Sequence, residues 1–179
     1  MQEVRTVVAS ALAVGLCWAQ GCSAAEAQPV GRLAGCGITR DAGKVERTPN
    51  SAVPNGAELR VSGMSVATET DVIPARLGVA FGCRFEVTGF SPGEEVELFK
   101  VVSFPEMRLP DGSVSTGYRR SLGRTKARSD GTVATVQGYS LDESFEAVED
   151  VWSIEIWLEG RRLAAKKFQV VSAGDAGAQ

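Results

Sequence analysis

Apolar residues recur at every second position through Val79, Phe81, Cys83, Phe85 and Val87, and Ala80, Gly82, Arg84 and Glu86 fill the places between. Successive side chains of a strand point to opposite faces, so this period of two predicts a strand with one face buried and one wet. Ser91-Pro92-Gly93 then supplies a turn. A second strand over 95–104 follows, with Val96, Leu98, Val102 and Phe104 on one face. Near the C-terminus Trp152, Ile154, Ile156 and Leu158 alternate with Ser153, Glu155 and Trp157, and Glu159-Gly160 reverses the chain into 162–171. That pattern predicts a β-hairpin. Its return strand changes phase, because Leu163 and Ala165 share one parity while Phe168 and Val170 take the other. A β-bulge produces such a shift. Arg161, Arg162, Lys166 and Lys167 are the charges expected on an edge strand.

Weaker strands are expected over 33–39, 59–66, 118–125 and 132–139, with tight turns at Asp111-Gly112 and Asp130-Gly131. Ser140 with Glu143 is positioned to cap one short helical turn through Phe145. Residues 41–57 hold two prolines and two asparagines without periodicity and read as a long polar loop; 172–179 reads as a frayed, disordered tail. About seven short strands separated by turns predict an all-β fold, an immunoglobulin-like antiparallel β-sandwich.

Residues 1–27 have the parts of an export signal: a weakly charged start with Arg5, an uncharged apolar run from Val7 to Trp18, and small residues after it. The run is too short to span a bilayer, which takes about 20 apolar residues. Ala25-Glu26-Ala27 would release a chain beginning at Gln28, whereas Gly21-Cys22-Ser23 resembles a lipobox cleaved before Cys22 and acylated there. The mature protein is accordingly expected in the periplasm or anchored to the outer membrane, without a membrane span. Residues 28–57 then form an N-terminal strand and loop, and 58–171 the remainder of one domain whose core covers 33–171.

Composition narrows the chemistry. Nineteen basic against 22 acidic residues leave a net charge of −3, which argues against a nucleic-acid partner. There is no histidine, so imidazole-dependent triads and most zinc and copper sites are excluded. No phosphate loop, dinucleotide fingerprint or CxxC pair occurs. Of four cysteines, Cys36 and Cys83 remain beyond the signal; both lie among alternating apolar residues and read either as a disulfide or as two buried thiols. Asp142, Glu143, Glu146, Glu149 and Asp150 cluster between two strands, where solvated linker, calcium site and acid/base pair are the alternatives. Arg119, Arg120 and Arg124, with Lys126 and Arg128, read as charges guarding an edge or as contacts to an anionic partner. Trp157 faces away from Trp152 and is a candidate anchor on an open sheet face.

The segment Glu69-Thr70-Asp71-Val72-Ile73-Pro74-Ala75-Arg76-Leu77-Gly78, followed by Phe81-Gly82, Arg84-Phe85 and Gly89, resembles the signature of the domain of unknown function 3859 family. Leu109-Pro110-Asp111-Gly112 and the stretch from Trp152 through Gly160-Arg161-Arg162-Leu163-Ala164 to Phe168 extend the resemblance over most of 33–171; Asp150-Val151 replaces the family's usual Pro-Gly. The resemblance implies a bacterial, typically exported protein and carries over no catalytic, metal or cofactor residue. The expectation is a non-enzymatic interaction module of the cell envelope binding a protein or glycan. The alternatives are a small carboxylate-dependent hydrolase or ligand carrier, and a structural accessory of an envelope complex.

Overall fold

The computed structural model describes residues 28–40, 45–51, 53–54, 56–61 and 64–175; the export signal expected over 1–27, including Cys22, lies outside them. Among the described residues eleven strands run in chain order: β1 Val30–Arg40, β2 Val45–Pro49, β3 Ala57–Val61, β4 Ser65–Glu69, β5 Val72–Pro74, β6 Ala80–Thr88, β7 Glu95–Arg108, β8 Val114–Lys126, β9 Val133–Ser140, β10 Asp150–Leu158 and β11 Arg161–Val171. Four of them form one sheet in the order β4-β1-β6-β9, and five form a second in the order β5-β11-β10-β7-β8. All pairings are antiparallel except the short one between β5 and β11. The chain passes between the sheets after β4, β5, β6, β8 and β9, so neither sheet is built from one continuous stretch.

The strand count exceeds the expected seven for identifiable reasons. The segment expected to be a loop contains β2, which pairs with β3 as a separate two-stranded hairpin. The strand expected over 59–66 is divided between β3 and β4. The short helical turn is a single 3-10 turn, Ser144–Glu146, capped by Glu143 and not by Ser140, whose hydroxyl donates to Asp142. Of the expected tail, Ser172 to Asp175 closes a turn through the Ser172 hydroxyl and the Asp175 carboxylate.

Alternation builds the core. Phe81, Cys83, Phe85 and Val87 from β6 face Val96, Leu98, Val102 and Phe104 from β7 and Trp152, Ile154 and Ile156 from β10, all buried. At its centre the Trp152 ring meets Phe104 at 4.9 Å, Tyr139 at 5.0 Å and Phe81 at 5.8 Å between centroids. Trp152 also donates its indole N–H to the Val148 carbonyl, so its one polar atom is not stranded in the core.

Cys36 and Cys83 are bonded, directly opposite one another on β1 and β6 with Cα atoms 4.1 Å apart. A bulge between Leu33 and Cys36 sets this register, and Gly35 there takes φ +129, which side chains rarely adopt. The β10–β11 hairpin turns through Glu159 (φ 48) and Gly160 (φ 80), the two positive-φ positions of a type I′ turn. Its bulge lies opposite Ile156/Trp157 and explains the phase change in the sequence. β11, expected at an edge, has β5 beyond its C-terminal end, where Lys166 reaches Asp71 at 2.5 Å, and the start of β1 lies against its first half, with the Arg161 guanidinium donating to the Pro29 carbonyl.

Candidate functional site

The outward face of the five-stranded sheet is set by the positions that alternate with the core. Cross-strand register aligns Arg162, Trp157, Phe99 and Ser121 in one row across β11, β10, β7 and β8. The adjacent row holds Ala165, Glu155, Val101 and Arg119, and the next holds Lys167, Ser153, Ser103 and Gly117. Two aromatic rings therefore stand side by side, with Arg162 in their own row and Arg119 in the next, and the small Ser153, Ser103 and Gly117 follow two rows away. Trp157 and Phe99 are both half-buried.

The ring and charge positions are fixed by local contacts. The Trp157 indole N–H donates to one Glu155 oxygen at 2.7 Å, and the Arg162 guanidinium bonds the other at 3.3 Å. Arg119 lies over the Phe99 ring at 4.4 Å from its centroid. Stacking orients a guanidinium while leaving its edge donors available. Farther along, Glu97 and Glu95 stand opposite Arg124 and Lys126, and Glu97 accepts a 2.5 Å bond from the Ser121 hydroxyl. Beyond Phe99 the face runs into a groove of about 980 Å³ lined by Gln28, Pro29, Phe90, Glu94, Leu158 and Arg161.

The structure brings Trp157 and Arg119 onto one face and places Arg124 nearby on that face, but it separates Arg120 from them. Arg120 shares the parity of Tyr118 and turns into the seam between the sheets, where it donates to Gln137. Lys100 is also inward and 4% exposed; its ammonium donates to the Gly138 carbonyl at 3.0 Å. Phe99 was not singled out from the sequence, although its parity opposes Val96 and Leu98 just as that of Trp157 opposes Trp152.

The acidic run does not converge. Asp142, Glu143, Glu149 and Asp150 are exposed, whereas Glu146 is fully buried. Its carboxylate accepts from the Tyr139 hydroxyl at 2.7 Å and from the Asp142 and Glu143 backbone N–H groups at 2.8 Å each. Burial raises its pKa, with these hydrogen bonds opposing the shift. Burial, and then the Glu146 charge, raise that of Tyr139. Glu146 thus organises the 3-10 turn. Among the described residues no group of three or more His, Cys, Asp or Glu is placed to hold a metal ion.

The family model Domain of unknown function (DUF3859) matches residues 29–170. An immunoglobulin-like protein from Pseudomonas aeruginosa is similar over 82% of this chain and 99% of its own, at 22% identity and a TM-score of 0.55. That likeness shows the immunoglobulin-like fold alone. A Pseudomonas fluorescens alkylpurine DNA glycosylase, AlkC, aligns over 57% of this chain and 28% of its own, at 11% identity and a TM-score of 0.43, too weak to bear on the fold or the site. Comparison with the curated proteins finds no match.

Proposed function

The chain belongs to the DUF3859 family, and we propose that it serves as an exported, non-enzymatic interaction module of the bacterial cell envelope. The observation that carries this reading is the outward row Arg162–Trp157–Phe99–Ser121, since those side chains lie outside the core yet include two large aromatics. Aromatic residues and arginine are the side chains enriched where surfaces bind partners. Export is supported by the signal pattern of 1–27 and by the Cys36–Cys83 disulfide, which an oxidising compartment preserves. Among the described residues no helix is long and apolar enough to cross a membrane. Acylation at Cys22 would tether the domain, and cleavage after Ala27 would free it.

The test is cross-linking in living cells from a photoreactive residue at position 157, followed by mass spectrometry. Recovery of one envelope component, lost when the probe is moved to Val136 on the other sheet, is the expected result. Recovery of monomer alone from position 157 would overturn the proposal. Radioactive fatty acid labelling decides the form of the N-terminus, because an unlabelled protein starting at Gln28 excludes the lipoprotein.

A further inference from the structure

We infer that the outward face of the five-stranded sheet takes an anionic glycan, a polysaccharide bearing carboxylates, laid across the strands. This rests on the interaction-module reading and names the ligand class for its site. Three features of the face select that chemistry.

The first is charge. Glu97 and Glu95 stand opposite Arg124 and Lys126, and Glu155 is engaged by Trp157 and Arg162. Arg119 and Lys167 remain as positive positions, one stacked on Phe99 and one exposed at the end of the row of small residues. The rows from β11 to β8 are therefore net positive, while the balanced glutamates lie at the groove end.

The second is shape. Ser153, Ser103 and Gly117 are small, so the row beyond Glu155 and Val101 is shallow across three strands, with Lys167 at its end on β11. Adjacent strands lie about 4.8 Å apart and rise about 3.4 Å per residue, which puts Lys167 on β11 and Arg119 on β8, three strands over and one row along, about 16 Å from each other. A chain of several sugar rings fits that span better than a single small anion does. The third is the aromatic pair itself. Trp157 and Phe99 stand beside Arg119, where sugar C–H groups can pack on the rings while carboxylates meet the Arg119 guanidinium and the Lys167 ammonium.

The experiment is calorimetric titration of the purified, processed protein with oligogalacturonate, and with neutral dextran of matched length as control. Binding to oligogalacturonate is expected to exceed binding to dextran at least tenfold and to weaken as salt is raised. It should fall at least tenfold in Trp157→Ala and in Arg119→Glu, with the unfolding curve of each variant showing that it is folded under the titration conditions. Equal affinity for dextran, absence of binding, or affinity unchanged in both variants would overturn the inference. If oligogalacturonate does not bind but one envelope protein cross-links from position 157, the glycan assignment fails while the interaction module stands.

Discussion

The two sheets present opposite solutions on their outward faces. On the four-stranded sheet, Gly37, Gly82 and Gly138 sit in one row across β1, β6 and β9. A Cβ added at Gly82 would lie 2.4 Å from the Gln137 carbonyl oxygen and 2.5 Å from the Gly138 Cα, so neighbouring backbone occupies the space of a side chain. On the five-stranded sheet the corresponding outward row carries Arg162, Trp157 and Phe99. The glycine row is constrained by strand approach, as Gly117 is at the far edge of the other sheet, whereas the aromatic row carries large side chains that the core does not need. Conformational demand explains the first, and recognition is the explanation offered for the second.

The largest effect should come from filling the glycine row. Gly82→Ala is expected to cost roughly 3 kcal/mol through overpacking, visible as a lowered midpoint in thermal or urea unfolding. An unchanged midpoint would remove the contrast between the faces. Replacing both Cys36 and Cys83 by Ala should cost about 2–4 kcal/mol, because their bond closes a long loop that contains β2 to β5. Surface ion pairs such as Arg162–Glu155 contribute far less, about 0–1 kcal/mol.

Tyr139→Phe should cost about 1–3 kcal/mol by leaving a buried Glu146 oxygen without its donor. The same carboxyl gives a pH dependence of definite sign. Its folded-state pKa lies above its ordinary 4.5, so the folded protein holds this proton to higher pH than the unfolded chain does. Its contribution to stability is full below 4.5 and is lost as pH rises through the folded-state value. Urea midpoints across that range should fall with rising pH in the native protein and respond less in Glu146→Gln; parallel profiles would contradict the assignment. The smallest effect is expected on the aromatic face. Arg119→Glu should change stability within about 0.5 kcal/mol, as measured by the same unfolding curves. A larger loss would mean that this face also serves the fold.

Alternation made much of this architecture legible. The parities of 79–87 and 152–158 place β6 and β10 with the correct faces inward, and Glu159-Gly160 marks the hairpin between β10 and β11. The basic run of β8 matches its place at the edge of the five-stranded sheet, whereas β11, expected at an edge, has β5 beyond it. Periodicity did not reveal β2, since two prolines and two asparagines in 41–57 mask a strand whose pairing with β3 is tertiary. Nor did residue type reveal direction. Arg120 and Arg119 are adjacent in a basic run, yet parity sends one into the seam and one outward; Glu146 looks like part of a solvated acidic linker until its cap geometry turns it inward. The cysteine pair was open because the bulge at Gly35 sets which residues of β1 and β6 meet. Phe99 was legible by the same parity that marked Trp157, but its neighbour in the row belongs to a strand more than 50 residues away, and only the register joins them.

The two indole N–H groups give the most direct test of a binding face on the five-stranded sheet. Trp157 presents its indole on that face against Glu155, while Trp152 buries its own against Val148 in the core of the same domain. In nitrogen-15 spectra of the processed protein titrated with oligogalacturonate, or with the cross-linked envelope component once identified, the Trp157 indole signal should shift progressively and that of Trp152 should stay in place. A bound complex in which the Trp157 signal does not move, or in which the amides of Val136 and Gly138 move instead, would contradict that assignment.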